Sequence, residues 1–156
     1  MKREQKSLTN KGFSLVELII VVAIMAVLIG VLAPQYLRYV EKTRLQKDNT
    51  SISEVANVLK ISSAEEKVIS SFPASGATYE FDANGVLQLS TEGVTDLDNE
   101  VSATMKVADV KLTSNKYKGA YPTIKVQIDA TTKIITVSAT GWYDTPSDTT
   151  STTKTF

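Results

Sequence analysis

From Leu18 to Ala33 the chain carries only apolar residues, with Glu17 directly before the run and Pro34 directly after it. Residues 14–33 supply about 20 helical positions, or about 30 Å, which is the thickness of a bilayer core. A segment of that kind must find lipid or other apolar helices, so it governs everything else the chain can do. A carboxylate at its edge is costly in hydrocarbon, and such a residue is a functional candidate by default. The plain alternative is a signal anchor whose acid snorkels to the membrane edge. An ordinary secretory signal has a shorter apolar core followed by a small-residue cut. No such cut follows this run. The candidate cleavage point stands before it, at Gly12–Phe13, and cutting there leaves the apolar helix on the product.

The residues ahead of that junction hold Lys2, Arg3, Lys6 and Lys11 against Glu4. The whole chain of 156 residues has 17 basic and 17 acidic side chains; without residues 1–12 it has 13 basic and 16 acidic. The basic excess therefore lies in a leader, as the positive-inside rule expects of an end kept in the cytoplasm. No basic stripe remains to track a nucleic acid backbone. The chain has no Cys and no His. Disulfide staples are excluded, as are the common thiolate, imidazole and zinc chemistries.

Beyond the apolar run, Pro34 removes one N–H and crowds the carbonyl of Gly30, itself a weak helix residue. The pair predicts a kink or soft point, not a stop. Leu37, Val40, Leu45, Ile52, Val55 and Leu59 then form one helical stripe, predicted to be core and to run on to about residue 65. Glu41–Arg44 and Arg44–Asp48 stand at spacings that suit surface ion pairs. Pro73 and Gly76 close the helical region. The period then becomes two. Thr78–Phe81 and Val86–Ser90 flank the turn Asp82-Ala83-Asn84-Gly85, and further strands are expected in 101–112, 124–128 and 135–139. Asp129–Lys133 would join the last two as a hairpin. The predicted fold class is α+β: a long N-terminal helix, half transmembrane and half amphipathic, packed on a C-terminal antiparallel sheet of four or five strands.

The organisation expected is a cleaved leader over 1–12, a transmembrane assembly helix over 13–36, and an amphipathic half over 37–70. A sheet head domain over 71–143 follows, then a disordered or exposed Thr/Ser-rich tail over 144–156. The run Asp96–Glu100 offers hard oxygen ligands but lacks the calcium-loop glycine and distal glutamate, so it reads as a solvated loop. No metal and no cofactor is expected. Trp142 and Tyr143 read as aromatics packed at a sheet edge, with an exposed adhesive pair as the alternative. Asn49-Thr50-Ser51 fits a glycosylation pattern by coincidence.

The segment Lys11-Gly12-Phe13-Ser14-Leu15-Val16-Glu17, the apolar run and Pro34 resemble the prepilins of the type IV filament superfamily, over roughly residues 11–45. The resemblance implies cleavage by a prepilin peptidase between Gly12 and Phe13, and N-methylation of Phe13. It implies that Glu17 neutralises the Phe13 amine of a neighbouring subunit, and that the helix loosens near Pro34 within a filament. The absence of the family's usual cysteine pair is similar to pilins of Gram-positive bacteria.

The function so implied is that of a type IV pilin, a non-enzymatic subunit of a surface filament for adhesion, motility or DNA uptake. Its partners would be other pilins, the peptidase, and the assembly platform and motor. The membrane would hold it as a single-pass protein before assembly, and nucleic acid would enter only at the filament level. The second reading is a pseudopilin of a type II secretion or competence system. The third is an anchored enzyme or binding protein that never polymerises and keeps residues 1–12.

Overall fold

The computed structural model describes residues 12–90, 92 and 94–156. Met1–Lys11, most of the expected leader, lie outside the described residues. The chain divides into two units, Met1–Arg38 and Tyr39–Phe156.

The first helix, α1, spans Leu15–Ser62 without a break, and Pro34 lies inside it. Neither Gly30 nor Pro34 ends it. Up to Leu32 its large apolar side chains are 47–72% exposed. By length and composition this stretch is able to cross a membrane.

In the second unit α1 changes character. Leu45, Ile52, Val55, Ala56 and Leu59 are buried along one face, together with Asp48. Each large aliphatic side chain withdrawn from water contributes roughly 1.5–3 kcal/mol. Leu37, predicted to join this stripe, is instead exposed. After α1 come a short helix α2 (Glu66–Ser71), strand β1 (Ala77–Tyr79) and helix α3 (Thr95–Thr104). A 3-10 turn (Val107–Asp109) and strands β2 (Thr123–Ile128), β3 (Ile135–Trp142) and β4 (Thr152–Thr155) complete the order.

The four strands are antiparallel and lie in chain order, β1-β2-β3-β4. Ala77 pairs with Val126 and Tyr79 with Ile124, while Ile124 faces Ala139 and Val126 faces Val137. These residues are buried and join Leu45, Ile52, Val55 and Leu59 of α1 in one hydrophobic core, which also takes in Val68, Leu97, Val101 and Tyr117. A single face of the sheet thus carries the alternating apolar residues, and the amphipathic part of α1 covers it, as the expected α+β architecture requires.

Three expectations are corrected. Residues 95–104 form α3, not a strand or a solvated loop. Leu97 and Val101 stand four apart and are both buried, while Asp96 and Asp98 occupy the first turn, where the helix field favours acids. The period-two count over 101–112 therefore began inside a helix; after it Met105, Val107 and Val110 pack against the core and Leu112 is buried, while the bridge in this stretch joins Val86 to Lys111. The turn at 82–85 forms, held by bonds from the Asn84 and Val86 amides to Asp82 Oδ1 at 2.8 and 2.9 Å. Its arms separate after one bridge, Phe81 to Leu87, so Val86–Ser90 is not a full strand.

The tail is ordered at its end. β4 pairs with β3, and a register shift between Thr140 and Trp142 falls at Gly141, whose φ of +84° favours glycine. The composition of 144–156 hid this strand because all four β4 side chains are exposed and none contributes to the core.

Candidate functional site

Gly12, Phe13 and Ser14 precede the helix in non-helical backbone. Phe13 is 94% exposed. α1 begins at Leu15, which makes Ser14 its N-cap and Glu17 its third helical residue. Ser-x-x-Glu is the capping-box pattern, and half of it is formed: the Ser14 amide donates to Glu17 Oε2 at 2.9 Å. The carboxylate thereby meets a backbone donor that no helical carbonyl would reach, at the end of the helix that favours negative charge. Sequence reading singled out Glu17 for its charge in an apolar setting and missed this local role, although Ser14 three residues earlier signals it.

Gly12, Phe13, Ser14 and Glu17 border one surface hollow. The four are neighbours in space, so the junction, the aromatic ring and the carboxylate form one local unit. Gly30 and Pro34 lie further along α1 and take no part in it. A Cβ added at Gly12 or Gly30 meets no atom within 4 Å. Among the described residues, packing demands glycine at neither place.

The head unit has a second set of polar contacts that sequence reading misassigned. Asp48 is fully buried and forms no ion pair with Arg44. Its Oδ2 accepts the amides of Thr113 and Ser114 at 2.8 and 2.7 Å. One turn pair earlier, Glu41 Oε1 accepts the amides of Asn115 and Lys116 at 2.6 and 3.2 Å. Four consecutive backbone N–H groups are thus satisfied by two carboxylates seven residues apart on α1. Asn49 completes the attachment: its Nδ2 donates to the Tyr143 carbonyl at 2.8 Å, and its Oδ1 accepts the Tyr117 hydroxyl at 2.6 Å. Burial pushes the Tyr117 phenol up to about 12. Asp48 and Asn49 are therefore the polar anchor of the 113–117 loop.

The remaining candidate groups are occupied by the fold. Asp96 pairs with Lys67 at 2.6 Å and accepts the Ser71 hydroxyl at 2.9 Å. Asp98 accepts the Tyr79 hydroxyl at 2.8 Å, and burial raises its carboxyl above the ordinary value. No metal-holding group of three or more acids occurs among the described residues. Trp142 is buried, with its Nε1 donating to Asp144 at 2.9 Å and Phe156 edge-on at 5.9 Å. Lys154 Nζ stands 4.4 Å above the Trp142 ring. Tyr143 packs on Tyr117 at 5.9 Å. The two aromatics are packed, as the first reading of them had it, and do not form an exposed pair.

Residues 8–33 match the family described as the prokaryotic N-terminal methylation motif. Two fimbrial proteins of Pseudomonas aeruginosa are similar to the chain well beyond that segment. One is 28% identical over 139 residues, and the other 28% identical over 143. Each alignment covers 85% of this chain and 90% of the relative. No solved structure matches.

Proposed function

We propose that this chain, which carries the prokaryotic N-terminal methylation motif and a pilin-like α+β fold, is the structural subunit of a type IV pilus. The observation that carries the reading is the junction itself. Gly12 and Phe13 lie in exposed, non-helical backbone immediately ahead of a helix start set by Ser14 and Glu17. A peptidase needs such backbone, because a helical peptide bond is already engaged in intrahelical hydrogen bonds. Among the described residues none would crowd a Cβ at Gly12, and a small peptidase subsite supplies a demand for glycine there.

In this reading the chain enters the membrane with residues 1–12 inside and is cut between Gly12 and Phe13. Phe13 is then N-methylated, and the helix passes from lipid to the apolar faces of other copies. Glu17 meets the Phe13 amine of a neighbour. Each charge is costly when buried alone, and pairing recovers much of that cost while fixing the register between subunits. Gly30 and Pro34 form the soft point of the helix, since Pro34 gives no hydrogen bond to the Gly30 carbonyl. The head units face outward. The subunit performs no chemistry itself; it is a substrate of the peptidase and a passenger of the assembly machinery.

The test compares Gly12→Val with Glu17→Ala in cells. The Gly12 variant should fold its head unit normally and retain residues 1–12. The Glu17 variant should be cut and yet give few filaments. Mass spectrometry of sheared surface material reads both, and a wild-type peptide beginning at methylated Phe13 is expected. Normal filament yield from Glu17→Ala would overturn the register role. A wild-type chain found only in the membrane, with residues 1–12 intact, would overturn the pilin reading.

A further inference from the structure

A groove of about 520 Å³ opens on the head unit between the 82–85 turn and the segment that follows Tyr117; its walls include Asn84, Lys111, Lys118, Gly119 and Tyr121. The site lies wholly in the Tyr39–Phe156 unit and is independent of whether chains polymerise.

The walls are tied together. Leu112 donates its amide to the Gly85 carbonyl at 2.9 Å, and the Tyr121 ring rests 6.5 Å from that of Phe81. Gly85 has φ +76°, and a Cβ there would stand 2.8 Å from the Leu112 carbonyl and 2.9 Å from the Tyr121 ring. Only glycine permits this close approach. The turn and the tyrosine therefore meet as a fixed corner.

Lys111 and Lys118 are exposed, and neither forms an ion pair or donates a side-chain hydrogen bond among the described residues. Lys116, by contrast, turns inward to the carbonyls of Pro146 and Asp148 and over the Tyr143 ring. The groove thus combines two exposed ammonium groups, of which Lys111 also lies near enough to Asp82 to help lower its carboxyl, with one amide side chain and one partly buried phenol ring. That set suits a compact anion with an apolar face and several hydroxyls.

We propose that this groove binds an acidic saccharide: the two lysines take its carboxylate, Tyr121 lies against a sugar ring, and Asn84 bonds a hydroxyl. A nucleic acid is the weaker fit. It needs a line of cations along successive phosphates, and the chain from Phe13 onward has 13 basic against 16 acidic residues.

Fluorescence anisotropy of labelled trigalacturonate, titrated with the full chain in detergent micelles, tests the site. Saturable binding is expected, with neutral maltotriose at least about tenfold weaker, the loss that follows from removing a charge-assisted hydrogen bond. Lys111→Gln with Lys118→Gln should weaken trigalacturonate about tenfold. Lys125→Gln with Lys133→Gln, outside the groove, should leave it within about twofold. Gly85→Ala should also weaken it, and the lysine variants, which alter only exposed side chains, keep the result readable if that variant misfolds. Equal losses from both lysine pairs, tighter binding of a thymidine oligonucleotide, or no saturable binding would overturn the proposal.

Discussion

Asp48 shows what a single buried carboxylate does when backbone donors, not a lysine or arginine, are its partners. Its two amide bonds to Thr113 and Ser114 bring a loop that is 65 residues away in sequence onto α1. Removing one partner of a buried charged hydrogen bond leaves orphaned donors, a loss of about 2–4 kcal/mol. Asp48→Ala should therefore lower the denaturation free energy by about that amount, whereas Arg44→Ala should change it by less than about 0.5 kcal/mol. Chemical denaturation of the two variants, with Trp142 fluorescence as the probe, checks the contrast. Spacing alone made Arg44 the natural partner of Asp48. The buried loop amides were invisible to it, because no local pattern marks which distant backbone groups lack partners. Glu17 is the opposite case: one charge beside a long apolar run was enough to single it out, and the structure adds the bond from the Ser14 amide.

Among the elements, α1 was legible from an unbroken apolar run followed by a stripe of helical spacing, and the hairpin β2–β3 from alternation on both sides of its turn. α3 was not. Ten residues with two buried side chains give too few repeats to tell a helix from a strand. β4 was hidden for a different reason. It contributes backbone bonds, and composition does not report those. Its attachment is nevertheless substantial: the Phe156 amide donates to Val137 at 2.9 Å, and Phe156 and Lys154 cover Trp142. Deleting residues 152–156 should expose the Trp142 ring. A red shift of its emission and a lower melting temperature are expected, and an unchanged spectrum would show that β4 does not cover the ring.

The whole head unit has a stability window that follows from its titrating groups. Hydrogen bonds from Val86 and Asn84 hold Asp82 below the ordinary 3.8, and those of Thr132 and Thr131 do the same for Asp129. Thr145 lowers Asp148, and Lys67 lowers Asp96. A lowered carboxyl lends stability that is present above its unfolded value and lost as pH falls through the folded one. Asp98, raised by burial, acts in the opposite sense and above 3.8: its contribution is present below that value and lost as pH rises through the folded one. At the other edge, burial raises the Tyr117 phenol to about 12 from 10.0, so its contribution is complete below 10.0 and lost as pH rises through about 12. The melting temperature should therefore form a plateau through neutral pH, falling below about pH 4 and again above about pH 10. Asp129→Asn with Asp148→Asn should flatten the acid limb, and Tyr117→Phe the alkaline one. A limb as steep as wild type in either variant would show that other groups set that edge.

The last strand meanwhile closes by edge-to-face rings and amide bonds in a chain that has no thiol. A head unit torn open by heat or by pulling can consequently rebuild itself wherever it happens to be, at the rate its own chain diffuses and folds. It needs no folding enzyme to remake a covalent link, and it leaves behind no wrongly joined forms.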